Sequence, residues 1–348
     1  MVLPGIDKDP NSPECGSDLI AAAKRMLLSV GQKAAAVTVD GGLWAKLHQQ
    51  LYTRSGFEGD LLVSLGPLHV VKAYLGGLGD FVRDTGWEQA VISARVVGGE
   101  ASTQTALSGA AIYRALQLHG AFAQAMWDNI ISCFLRFAPA SDVIERLRHA
   151  TAVSMSGSSL EIESGLGDAV TALCAWAAEK AAQSGTFALW WLYLQHHQRL
   201  ENYLQAVRAI HTGGLNRYAN ALEGLLPLFV SMNKTNYRRM IPLQRQLNHQ
   251  VVTKFPSLEK SLNLGIGLAA SRTGKPGSLV GLDMFMEWAT KDCKGPCRLA
   301  SFLQPDARQR FLYTLSATLR LSVEMQSRRA ATPKWRAAWL YGAAQATP

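Results

Sequence analysis

Three places in the sequence carry side chains suited to metal or phosphate chemistry. Asp40 closes a β-type run, Ala35-Ala36-Val37-Thr38-Val39. His69 follows a second run, Leu61-Leu62-Val63-Ser64-Leu65, after Gly66-Pro67-Leu68. Asp283 and Glu287 stand at i,i+4, so on a helix both carboxylates project from one face. If the two β-runs are adjacent parallel strands, Asp40 and His69 share the carboxyl edge of the sheet. A helix bringing Glu287 there completes a cluster. Paired carboxylates suit Mg²⁺, which takes oxygen ligands and clamps the attacking and leaving oxygens of phosphoryl transfer.

Each residue also has a structural role open to it. An aspartate at a strand end is a good N-cap for the next helix. A histidine at a helix start can satisfy a backbone group. Asp283 can serve as a first-turn acid at the positive end of a helix dipole. Glu287 can pair with Lys291 at i,i+4. No G-x-S-x-G elbow, G-x-x-x-x-G-K-[ST] loop or H-E-x-x-H helix is present. Gly76-Gly77-Leu78-Gly79 falls inside a helical pattern and reads as a close-packing face rather than a phosphate cradle.

The elements that must position these groups read as follows. Ser17-Asp18 offers an N-cap, Leu19, Ala22, Met26 and Leu27 form an apolar stripe, and Gly31 supplies a stop. The first β-run is followed by a helix near Leu43, and the second by helical spacing from Leu68 through Val71, Leu75 and Leu78. Helix, strand, helix, strand, helix is an α/β signature. From Ser102 to Gln250 the pattern is almost wholly helical, with breaks at Pro139, Gly157, Gly165, Gly185 and Gly213-Gly214. Trp127, Trp176, Trp190 and Trp191 recur there at core spacing. A short helix is expected over Leu258–Leu264, an extended run over Leu279–Leu282, a helix over Asp283–Trp288, and another from Pro305 to about Arg329.

Composition bounds the class. The 348 residues are 48% hydrophobic and 18% charged, which excludes a disordered chain. Thirty Gly and thirteen Pro without a period exclude collagen-like and low-complexity readings. Five cysteines, Cys15, Cys133, Cys174, Cys293 and Cys297, are an odd, scattered set that suits reduced thiols in an intracellular protein. Cys293 and Cys297 have no second pair to complete a zinc site. The opening residues lack a basic segment leading into an apolar core, so no secretory signal is read. The uncharged stretch Ala181–Gln198 is interrupted by Gln183, Ser184, Gln195, His196 and His197, which argues against a membrane helix.

The net charge of +9 is uneven. From Arg272 onward there are 12 Lys and Arg against 5 Asp and Glu, a net of +7, leaving +2 for the rest. Arg328, Arg329, Lys334 and Arg336, interleaved with Trp335 and Trp339, can track a phosphate backbone with arginine forks. A solvated helix face accounts for the same residues.

Several segments, in order, resemble a family of uncharacterised eukaryotic proteins associated with mobile elements. Val39-Asp40-Gly41-Gly42-Leu43-Trp44 is similar to its Phe-Asp-x-x-Leu-Tyr motif. Leu65-Gly66-Pro67-Leu68-His69 resembles its Leu-Gly-Gly-Phe-His motif. The stretch Leu75–Trp87 resembles the helix that follows, and Tyr113-Arg114 with His119 a later Tyr-Lys-Arg and Ala-His. Asn236-Tyr237-Arg238-Arg239 and Pro242 resemble Asn-Tyr-Ala-Arg-x-x-Pro, and Asp283-x3-Glu287 with Lys294-Gly295 its Asp-x3-Glu block. This order is similar to the layout of ribonuclease H-like transposases, in which a helical insertion separates the second metal-binding carboxylate from the last. The resemblance implies Asp40 as the second carboxylate, Glu287 as the last with Asp283 beside it, Mg²⁺ as the ion, and His69 as a structural or DNA-facing neighbour. The first carboxylate of such a site has no counterpart here. Before Asp40 the chain offers only Asp7, Asp9, Glu14 and Asp18, in loop and helix-start settings, so it reads as truncated or divergent.

The expected fold is α-dominated α/β: a small partial sheet, a ribonuclease H-like remnant, with a large all-helical insertion. The expected parts are an N-terminal α/β part (1–100), the helical insertion (101–250), a C-terminal part completing the α/β core (251–330) and a basic tail (331–348). The expected function is a mobile-element-derived, nucleic-acid-associated protein, in its fullest form a degenerate Mg²⁺-dependent transposase- or nuclease-like domain. The competing expectation is a non-catalytic helical interaction or structural protein. DNA or another nucleic acid is the expected partner, with no membrane, and the expected location is intracellular, including the nucleus.

Overall fold

A computed structural model describes residues 12–29, 31, 34–53, 61–137, 159–254, 256–263, 268–270, 279–284 and 287. It is mostly helical with few strands, as the hydrophobic periodicity requires. Two compact units form, one from residues 1–64 with 282–348, the other from residues 65–281.

In the first unit, helix α1 (Pro13–Ser29) precedes strand β1 (Ala35–Val39), helix α2 (Gly41–Thr53) and strand β2 (Leu61–Leu65). The strands pair in a two-stranded parallel sheet. Both strands have the bounds their β-type runs predict. The α1 start differs: the Ser12 hydroxyl accepts a hydrogen bond from the Cys15 amide at 3.1 Å, so Ser12 rather than Ser17 caps it. Pro13, with no amide hydrogen to satisfy, suits the first helical position. Gly31, at φ +67°, supplies the stop. Ile20, Ala22 and Ala23 of α1 and Trp44, Leu47 and His48 of α2 are buried in this unit.

The second unit begins with α3 (Pro67–Val82), followed by α4 (Trp87–Ser93), α5 (Glu100–Leu107) and α6 (Ile112–Phe137). Next come α7 (Ser159–Gln183), α8 (Gly185–Arg208), α9 (Ile210–Glu223), α10 (Leu226–Ser231), α11 (Thr235–Lys254) and α12 (Pro256–Asn263). A short antiparallel pair, β3 (Ala269–Ala270) with β4 (Val280–Gly281), closes it. Residues 282–284 and 287, which belong to the first unit, are helical; the helix expected over Asp283–Trp288 thus begins already at Leu282, read as the end of the extended run.

The glycines of α3 are a packing face, as read. A methyl group on Gly79 would lie 2.1 Å from the Leu107 carbonyl oxygen, and one on Gly76 3.3 Å from that of Ser108. Only hydrogen there lets α3 lie against the end of α5. Gly185 is a helix boundary: the Ser184 hydroxyl accepts from the Phe187 amide at 3.3 Å and starts α8. Gly213-Gly214 is a kink inside α9, with Gly214 at φ 67° and ψ 178°. The break expected at Gly165 does not occur, since α7 runs through it. Pro139, Gly157 and the helix expected from Pro305 lie outside the described residues.

The core of the second unit is aromatic. Trp87, Tyr74, Tyr193, Tyr203 and Phe229 are fully buried, and Trp176 and Trp191 nearly so. The four tryptophans of the helical middle pack against neighbouring rings, Trp127 on Trp191, Trp176 on Phe134 and Phe187, and Trp190 on Phe122 and Tyr193.

Candidate functional site

Asp40 is exposed at the junction of β1 and α2. Its Oδ1 accepts a hydrogen bond from the Leu43 amide at 2.7 Å, and its carbonyl accepts from Trp44 at 2.8 Å. That is an N-cap, the structural role open to it from the sequence. One turn on, the Trp44 indole donates to the Val63 carbonyl at 3.2 Å, and His48 Nε2 lies 3.3 Å from the same oxygen. The two rings sit 3.9 Å apart. Burial lowers the His48 pKa, partly offset by its bond to Val63. Asp40 therefore starts the helix that clamps onto β2.

Asp283 is half-buried, and its Oδ1 accepts from the Met284 amide at 3.0 Å. Glu287 is exposed. Asp40, Asp283 and Glu287 belong to the first unit and His69 to the second. Among the described residues, no three His, Cys, Asp or Glu side chains are grouped to hold a metal ion. Arg328, Arg329, Lys334 and Arg336, with Cys293 and Cys297, lie outside the described residues.

His69 stands in the first turn of α3, half-buried. Tyr237 Oη donates to its carbonyl at 3.2 Å while the Tyr237 ring stacks on Phe229 at 4.9 Å. The Leu65 amide donates to Gln244 Oε1 at 3.2 Å, and Gln244 Nε2 donates to Asn248 Oδ1 at 2.9 Å. Tyr237, Ile241, Gln244 and Asn248 thus share one face of α11 at helical intervals, and Tyr237 and Gln244 fasten that face to the Leu65–His69 segment. Two motifs 168 residues apart in the chain meet here. Away from the docked side, Arg238, Arg239, Arg245 and His249 are exposed, and α11 contains no acidic residue. Arg238 donates to Asn233 Oδ1 at 3.3 Å, and Arg245 pairs with Glu223. Lys234, just before α11, pairs with Asp80 of α3 at 2.7 Å.

This basic sector escaped the sequence reading. Residues 199–254 carry eight basic side chains (Arg199, Arg208, Arg217, Lys234, Arg238, Arg239, Arg245, Lys254) against two acidic ones (Glu201, Glu223), a net of +6. The +2 assigned to everything before Arg272 hides it, because acidic residues elsewhere cancel the sum. A sliding charge count would have found it.

The second feature missed is a buried histidine cluster. His119 is fully buried, stacked on Trp87 at 5.1 Å, with Nδ1 3.0 Å from Tyr193 Oη. Tyr193 Oη donates to the His119 carbonyl at 3.3 Å. One hydroxyl proton serves one acceptor, so satisfying both contacts assigns His119 the Nδ1–H tautomer, with Nε2 as a buried lone pair that has no partner among the described residues. Burial, reinforced by nearby His197, pushes the His119 pKa down to about 3. His196 is buried against Phe81 and is pushed down to about 4 by burial, with Arg199 adding to it. Burial also raises Tyr193 and lowers His197. The cluster joins α4, α6 and α8 from the inside.

A family model described as a domain of unknown function, DUF8702, matches residues 1–329. The chain belongs to this family. No curated protein and no solved structure matches it. In this DUF8702 chain, no helix among the described residues is long and apolar enough to cross a membrane.

Proposed function

We propose that this DUF8702 protein is a nucleic-acid-associated protein of mobile-element origin, and that it holds a phosphate backbone on the outward face of α11. The observation that supports this reading is the division of α11 into two faces. The inward side is fastened through Tyr237 and Gln244, and the rest of its circumference carries exposed Arg238, Arg239 and Arg245 with no acid in the helix. Guanidinium groups on a rigid helix are well matched to phosphate oxygens. The order of the sequence motifs supports the mobile-element origin. The catalytic extension, Mg²⁺-dependent phosphoryl transfer through Asp40, Asp283 and Glu287, rests on that order alone.

Fluorescence anisotropy with a labelled DNA duplex across NaCl from about 25 to 200 mM tests the binding reading, because affinity for a phosphate backbone falls steeply with salt. The double variant R238Q/R239Q should lower the slope of log K against log salt by about 1.8, roughly 0.9 for each phosphate no longer neutralised. No binding by the unaltered chain at the lowest salt refutes it and leaves the helical interaction protein as the reading.

A further inference from the structure

A depression on the surface of the second unit is lined by Asn202, Arg217, Asn220 and Ala221. Asn202 stands on α8 and the other three on α9. The two helices are locked directly beneath it. Tyr203, next to Asn202, and Tyr218, next to Arg217, are buried with their hydroxyls 3.4 Å apart. Asn202 and Arg217 are therefore each one position from a fixed anchor.

Arg217 is placed by two glycines. Its stem lies across Gly213 so closely that a methyl group there would fall 2.5 Å from Arg217 Cδ. Gly214, at φ +67°, breaks α9 and starts a fresh helical segment at Leu215, whose amide donates to Asn263 Oδ1 at 2.8 Å. Arg217 thus stands in the first turn of that segment, where the helix dipole is positive. Leu215, Asn216 and Tyr218, its neighbours in that turn, carry no charge, and among the described residues Arg217 has no ion pair. A cation at the positive end of a dipole is unfavourable until an anion joins it.

The flanking amides are also donors. Asn202 Oδ1 accepts from Gln198 Nε2 at 3.0 Å, and Asn202 and Asn220 are both exposed. A guanidinium flanked by side-chain amides suits a tetrahedral oxyanion.

We propose that the Asn202–Arg217–Asn220 depression seats a phosphate of a nucleic-acid backbone, with Arg217 as its fork and the two asparagines as its lateral donors. This rests on the nucleic-acid reading and adds a contact outside α11. Gly213 is a positioning residue, kept without a side chain so that the Arg217 stem can lie flat.

The test compares the full chain with R217Q, R217K, G213A and R238Q/R239Q in the salt-series anisotropy assay. Circular dichroism melts check that each variant is folded. R217Q should weaken duplex binding about tenfold at low salt and lower the salt slope by about 0.9, the share of one phosphate. R217K should recover the slope but not the full affinity, since the charge returns without the fork. G213A should resemble R217Q. If R217Q keeps the unaltered slope and affinity while R238Q/R239Q loses both, the seat is refuted and the α11 reading stands. If the unaltered chain binds no duplex, both fall. A further arm replaces chloride with inorganic phosphate at matched ionic strength. If phosphate raises the melting temperature only when Arg217 is present, yet R217Q binds duplex normally, the depression is a small-anion site and the proposal is overturned.

Discussion

The sharpest consequence of the buried cluster is acid sensitivity traceable to one ring. His119 is fully enclosed, and its unprotonated Nε2 faces no acceptor among the described residues. A proton added there would bury a charged N–H with nothing to receive it. The folded-state pKa is about 3, below the roughly 6.5 of an unfolded histidine. The unfolded chain therefore binds the proton more tightly, and stability falls as pH drops through the window between those values. Integrated from pH 7 to pH 5, this one residue removes about 2 kcal/mol, and about 3 kcal/mol by pH 4. His196, pushed down to about 4, and His48 and His197, also lowered, act in the same direction. Urea unfolding followed by circular dichroism at pH 7, 6 and 5 measures the total. H119Q isolates the part due to His119: whatever it costs at pH 7, its loss between pH 7 and pH 5 should be smaller than the parent's by about 2 kcal/mol. Equal losses in parent and variant would refute the account of His119 as a neutral, sealed ring.

Two further outcomes follow from contacts in the second unit. G79A forces a methyl group into the Leu107 carbonyl, which is backbone and cannot rotate away, so the chain should lose at least the roughly 1–3 kcal/mol typical of overpacking, read as a lower urea midpoint. K234M removes an exposed ion pair to Asp80 and should cost less than about 1 kcal/mol in the same assay, a difference that shrinks further in high salt.

What the sequence revealed and what it hid divide by range. β1 and β2 could be read residue by residue, because short apolar runs ending in Asp40 and in Gly66-Pro67 leave little choice of boundary. The glycine face of α3 was visible because Gly76, Gly77 and Gly79 recur within a helical pattern and the helix needed a reason to tolerate them. The α1 cap was misplaced although its signal, Ser12 before Pro13, was present. Gln244 was out of reach. Its partner is a backbone amide at Leu65, and nothing local marks that glutamine as buried rather than solvated. The seal around His119 is hidden for the same reason, since Trp87, Tyr193 and His197 come from other helices. Asp40 ends β1 and His69 opens α3, as the β-type runs place them, but the bonds they make, an N-cap to Leu43 and a carbonyl to Tyr237, are set by a local turn and by tertiary docking.

Asp40 is where the binding and the catalytic readings part, and the choice of substitution decides whether they can be told apart. An alanine there removes both the carboxylate on which the catalytic reading depends and the oxygen that accepts from Leu43, so a loss of function would be ambiguous. The cap alone is worth about 0.5–2 kcal/mol, and α2 carries the Trp44 and His48 contacts to Val63. Asparagine separates the two roles. Its Oδ1 still accepts from the Leu43 amide, and it is as good an N-cap as aspartate, but it lacks the charge that draws a divalent cation. With binding as the function and Asp40 as a cap, D40N should melt at the parent temperature, bind duplex with the parent slope and leave any effect of Mg²⁺ unchanged, whereas D40A should melt lower. A Mg²⁺-dependent rise in the parent melting temperature that vanishes in D40N would reverse the assignment, because a cation bound only by the folded chain must raise its stability in proportion to occupancy.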